Sequence, residues 1–147
     1  GDSARMRFDL IVNHLVLDSF KNKKIKVFGP KMWRPLMWVG EPAHVFYLTL
    51  NSEEKNIKSQ VFNLGSNNEN FQKIQIAEII KNNFEKNLNI EIVNDDPDLR
   101  SYKVNFDKIS KLLKYKPQKT IEQAIKELFF SLKNNLYNNL DSEIYRN

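Results

Sequence analysis

Five arginines stand among eighteen lysines in this 147-residue chain, at positions 5, 7, 34, 100 and 146. A sequence that draws generic surface charge from lysine keeps arginine where a planar, five-donor guanidinium is needed to grip a phosphate or a carboxylate. Two of the five lie in short motifs that read as loops: Arg34 in Trp33-Arg34-Pro35-Leu36, and Arg100 in Asp98-Leu99-Arg100-Ser101-Tyr102. Anion binding is therefore the leading chemistry, set against the plainer reading of surface or ion-pair arginines. Metal chemistry has less to stand on. His14 and His44 fall in different helical segments with no partner carboxylates spaced for zinc. Asp95, Asp96 and Asp98 lack the glycine and distal glutamate of a calcium loop and read as a solvated acidic turn.

The elements that must position these residues follow from apolar periodicity. Phe8, Ile11, Val12, Leu15, Val16 and Phe20 predict an amphipathic helix over 7–21. Ile25 to Phe28 alternates as a short strand that stops at Gly29-Pro30. Gly40-Glu41-Pro42 opens a second helix running to Leu50, with proline suited to a first turn. Gln60 to Leu64 reads as a strand ending at Gly65, and residues 66–70 as a polar loop. A third helix is expected over 71–85, a strand over 90–93, and a weaker extended segment over 101–104. Asn105 suits the N-cap of a short helix to Leu113, which Pro117 closes. Thr120-Ile121-Glu122-Gln123 is a capping-box signature for a last helix to about Tyr137. Residues 139–147 are expected to fray. The pattern is mixed α/β with short strands.

Composition bounds the rest. A chain of this length, 41% hydrophobic with ten Phe, five Tyr and two Trp, suffices for one unit with a core. Its many Asn and Lys residues read as codon bias. Cysteine is absent, which excludes disulfides and thiolate sites and points to a reducing compartment, the cytoplasm by default. No apolar run approaches a membrane span, and no signal segment opens the chain. The net charge of +5 suits phosphate-bearing partners without choosing among them. Lys21-Asn22-Lys23-Lys24-Ile25-Lys26 lacks interleaved aromatics and reads as a solvated turn rather than a nucleic-acid patch.

Four segments in order carry a resemblance. Arg5-Met6-Arg7-Phe8-Asp9-Leu10 with Asn13 is the first, and Val27-Phe28-Gly29 leading to Trp33-Arg34-Pro35-Leu36-Met37-Trp38-Val39 the second. Val61-Phe62-Asn63-Leu64-Gly65-Ser66 is the third, and Asp98-Leu99-Arg100-Ser101-Tyr102 with Leu112-Leu113-Lys114-Tyr115-Lys116-Pro117 the fourth. Together they resemble the C-terminal half of NAD-dependent nucleotide-sugar epimerases and dehydratases, the extended short-chain dehydrogenase/reductases, over nearly all of residues 1–135.

The resemblance implies a small mixed α/β substrate-binding subdomain, residues 1–138, with the Rossmann half missing. It places Arg34 and Arg100 on the diphosphate of a nucleotide sugar as bidentate donors approaching from opposite sides. Asn13 and Asp9, one helical turn apart, would face the same cleft, and Val27 would touch the base. Asn63 would fix a turn through its amide. Trp38, Glu41 and Lys114 stand where the family has His, Asp and Gly. NAD(P) belongs to the parent enzyme and not to this chain alone, since the four glycines, at 1, 29, 40 and 65, cannot form the pyrophosphate loop. Tyr115 and Lys119 match the spacing of the family's catalytic pair, but Pro117 between them forbids the helix that would align them. The chain thus reads as half an enzyme, not catalytic by itself, with a Rossmann half as partner and room for a homodimer in the parent. The competing reading is a noncatalytic basic module for RNA or another polyanion.

Overall fold

The computed structural model describes residues 1–95 and 98–146. In chain order the elements are α1 (Ile11–Asn22), β1 (Lys24–Phe28), β2 (Trp33–Pro35), α2 (Glu41–Leu50), α3 (Glu54–Ile57), β3 (Asn70–Gln72), α4 (Lys73–Asn83), β4 (Asn89–Val93), α5 (Asp107–Leu113) and α6 (Ile121–Lys133). β1 and β4 pair in parallel, with Lys24 opposite Asn89 and Phe28 opposite Val93. β2 and β3 pair antiparallel, with Arg34 opposite Phe71.

Amphipathic helices close the core over the parallel pair. Ile25 and Val27 point inward from β1 in strict alternation, as a half-buried strand requires. They meet Leu15 and Val16 of α1, Ile76 and Ile80 of α4, and Ile125 and Leu128 of α6, all buried in one cluster. A second, smaller core joins Phe106, Ile109, Leu113 and Tyr115 to Val45 and Leu48 of α2. The most deeply polar feature lies at its edge. Glu41 is 1% exposed, and its carboxyl accepts the hydroxyl of Tyr115 at 2.8 Å and the amides of Gln118 and Lys119 at 2.8 and 3.1 Å.

Several expectations shift. α1 starts at Ile11 rather than residue 7, because Leu10 is extended and the preceding turn is tied by the Asn13 amide donating to the Arg7 carbonyl. Gln60 to Leu64 forms no strand: Val61 is 82% exposed and no described strand pairs with it. Phe71 belongs to β3, so α4 begins at Lys73, where Gln72 and Gln75 form a capping box. The Thr120–Gln123 box opens α6 as expected, although the helix ends at Lys133.

Within the segment expected to fray, residues 139–146 are described. A short 3-10 turn forms at Glu143–Tyr145, Tyr145 is buried, and its carbonyl accepts the Phe8 amide at 2.9 Å. The cause is aromatic: Phe8, Tyr137 and Tyr145 meet edge to face with centroids 5.4 to 6.0 Å apart.

Asparagine is structural here as well as abundant. The Asn70 side chain donates to the Val104 carbonyl and accepts the Val104 amide, while Asn67 accepts the Phe106 amide. These bonds staple the loop before β3 to the entry of α5. Asn105 falls one residue short of the N-cap expected of it: Phe106 takes that position without a side-chain bond, and Asn105 instead accepts the Asp107 amide at 2.9 Å in a local turn.

At the other end of α5, Lys114 takes the left-handed conformation, φ 53°, that a glycine would adopt without strain. Lys114→Gly is expected to raise stability by about 0.5–1 kcal/mol in urea melts. An unchanged midpoint would mean that the extra freedom of glycine in the unfolded chain cancels the relief.

Candidate anion-binding site

A cleft of about 480 Å³ opens between the start of α1, the end of β1 and the Asp98–Arg100 loop. Its walls bring together Arg34, Arg100, Asp9 and Val27, four of the five residues singled out in the sequence. Asn13 faces a neighbouring cavity instead. It is turned there by the bond to Arg7 that closes the turn before the helix. Asp9 precedes α1 rather than riding on it, and its carboxylate is held by Arg7. That hydrogen bond lowers its pKa from the ordinary value.

The two arginines are positioned differently. Arg34 is fixed by strand pairing and is largely covered, with 12% of its side chain exposed. Its Nη1 donates to the carbonyls of Trp33 and Arg100, and its Nη2 to Asp98 at 3.0 Å. Arg100 lies in the loop and is 76% exposed. Its Nε and Nη2 make a bidentate pair with Asp98 at 2.7 and 2.9 Å. Both guanidiniums therefore converge on one carboxylate, rather than facing each other across an open gap. Hydrogen bonding from Arg100, and secondarily from Arg34, holds the Asp98 carboxyl well below the usual carboxylate range.

Val27 is only 2% exposed, so its side chain serves the core. The accessible apolar wall is supplied by Phe28 and Leu10, 42% and 49% exposed. Alternation along β1 foretells this, since Phe28 follows an inward residue. Lys73, at the first position of α4, is the cleft residue that sequence reasoning missed: it is 8% exposed and lines the same space. Its burial could have been inferred only from the β2–β3 pairing that draws α4 toward the arginines.

The rings beside the site are engaged by the protein's own cations. Lys103 lies 3.5 Å over Trp33, and Arg34 stands 5.8 Å from Tyr102. In the lysine cluster, Lys21 pairs with Asp141 and Lys24 with Glu91. Tyr115 and Lys119 diverge, the first bonded to Glu41 and the second paired with Glu127 over the Trp38 indole. Among the described residues no group of three acidic, His or Cys side chains is placed to hold a metal ion. Asp96 of the acidic loop lies outside the described residues. No helix among the described residues is long and apolar enough to cross a membrane.

Gly29, which follows β1, leads through Pro30 into β2 and not into a helix, so its amides form no helix N-terminal cradle.

No family model matches the sequence. Solved structures do. The TunA protein, an NAD-dependent NDP-hexosamine 5,6-dehydratase involved in tunicamycin biosynthesis, aligns over 92% of this chain and 43% of its own, at 14% identity and a TM-score of 0.74. L-threonine dehydrogenase from Phytophthora infestans aligns over 92% and 44%, at 9% identity and 0.73. The dTDP-glucose 4,6-dehydratase of Bacillus anthracis, solved with NAD, aligns over 92% and 43%, at 22% identity and 0.67. The chain thus spans less than half the length of the proteins it matches. At these identities the likeness is one of fold: the chain has the small mixed α/β fold of part of these dehydratase and dehydrogenase structures.

Proposed function

We propose that this chain holds the diphosphate of a nucleotide sugar through Arg34 and Arg100, as the C-terminal, substrate-binding part of an NAD(P)-dependent epimerase or dehydratase. The observation that carries the reading is the convergence of both guanidiniums on a single anion at the mouth of a cleft with one apolar wall. A diphosphate presents the same charge-assisted acceptors, and the apolar wall suits a base or sugar face. The fold is shared with an L-threonine dehydrogenase as well as with nucleotide-sugar dehydratases, so the substrate class rests on the arginines and not on the fold.

NAD(P) would be held by residues outside this chain, in a Rossmann half. Met37 and Val39, exposed at 43% and 54%, offer it an apolar contact surface. The polyanion reading draws less support, because the Trp33 ring beside the cleft already lies under Lys103.

Calorimetric titration with UDP tests the proposal. Arg34→Lys keeps the charge but loses the planar fork and is expected to weaken binding on the order of tenfold to a hundredfold. Arg100→Lys is expected to weaken it as well. Arg146→Lys, at an exposed residue that does not line the cleft, should change nothing. Equal affinity in the wild type and both loop variants would remove the site.

A further inference from the structure

One carboxylate meets both arginines of the cleft. Asp98 Oδ1 accepts the Nε and the backbone amide of Arg100, at 2.7 and 3.2 Å, and Oδ2 accepts Nη2 of Arg100 and Nη2 of Arg34, at 2.9 and 3.0 Å. Four donors on one carboxylate use about all the lone-pair sites such a group has. The donors so occupied are the ones a bound diphosphate would need, because the Nε and Nη2 edge of a guanidinium is the face that matches two anionic oxygens.

We propose that Asp98 is an internal competitor, an anion built into the site that occupies the Arg100 fork until a diphosphate displaces it. This rests on the reading of the cleft as a diphosphate site. The two arginines would respond differently. Arg34 is held from the other side by the carbonyls of Trp33 and Arg100 and is nearly covered, so it stays where it is. Arg100 is mostly solvent-exposed and bonded to a residue only two positions away. The Asp98–Arg100 pair is thus a local, surface contact of the kind that costs little to break. The contact has two effects. It keeps two cations from repelling one another in the empty cleft, and it sets a threshold that a weakly held anion does not pass.

The sign of one substitution decides between this role and the opposite one, in which Asp98 simply holds the arginines in place. Asp98→Asn keeps the shape and removes the charge. As a competitor, its loss should tighten UDP binding about twofold to fivefold. As a support for the arginines, its loss should weaken binding, and that result would overturn the proposal. UDP is titrated into the 147-residue chain, into Asp98→Asn and into Arg34→Lys at one salt concentration, with thermal melts to establish that each is folded. A second readout needs no variant: the Arg100 Nε–H resonance of the wild type should move as UDP saturates, because its acceptor changes. A resonance that stays fixed at saturation would also overturn the competitor. Weaker binding in Arg34→Lys with no gain in Asp98→Asn removes the competitor and leaves the diphosphate site standing. Absence of UDP binding in all three removes both.

Discussion

Alanine at position 41 is expected to cost about 3–5 kcal/mol of folding stability, read from the shift in urea midpoint at constant slope. Glu41 is 1% exposed, and its carboxyl is the acceptor for one hydroxyl and two backbone amides. Those donors lie on the connection from α5 to α6, whereas Glu41 opens α2. One side chain therefore joins the satellite core to the segment that leads into the main one. Alanine would leave a buried hydroxyl and two part-buried amides without their acceptor, each costing about 1–3 kcal/mol. Tyr115→Phe removes a single donor and should cost only about 1 kcal/mol. The Tyr115 hydroxyl is pushed above its ordinary pKa by burial, and further by its bond to Glu41, so the bond persists across the neutral range. If Glu41→Ala costs no more than Tyr115→Phe, the two amides find water and the tie between the cores is not real.

Phe8→Ala should be comparably severe, about 3–5 kcal/mol, as for other large aromatic truncations in a core. Its ring is 2% exposed and meets Tyr137 at 5.5 Å and Tyr145 at 5.4 Å, both edge to face. The removed ring leaves two tyrosines facing a cavity, and the residues after α6 lose what holds them down. Limited proteolysis should then cleave within residues 139–146 under conditions where the wild type resists. Phe130→Ala is the matched control: that ring is 65% exposed, and its loss should stay within about 0.5 kcal/mol. A variant at position 8 whose tail remains protected would show that the Arg5 contact to the Ile144 carbonyl suffices to hold it.

The longer helices were legible because they repeat apolar residues at a helical spacing and carry local start and stop signals, whereas α3, four residues with one apolar side chain, was not. The Thr120–Gln123 box and the left-handed ending at Lys114 are fixed by residues within one turn. Pairing was less legible. Val61 to Leu64 has the composition of a strand, but a strand exists only by its neighbour, and none of the described strands lies beside it. Conversely, Trp33–Pro35 contains a proline and spans three residues, so nothing local announces that it pairs with Asn70–Gln72. The same limit governs the site. Arginine scarcity picked out Arg34 and Arg100, and the cleft places both on its wall. That Asp98 would bridge them depends on bringing β2 and a loop together across 64 positions of sequence, and motif spacing carries no such information. Val27 lies at the cleft but turns its side chain to the core, and Asn13 lines a neighbouring cavity: a one-residue change of facing on a strand or at a helix start decides such placements.

The parallel pairing of Lys24–Phe28 with Asn89–Val93 also sets the order in which the chain can be completed on a ribosome. The first strand emerges early and must wait for its partner, and the first helix packs against the last. Closing such long loops carries an entropic cost that is repaid only when the distant partner arrives. Until α6 has left the exit tunnel, Ile25, Val27 and Val16 have only α4 to cover them. Over that interval the nascent segment holds its future core partly open to other chains and to chaperones.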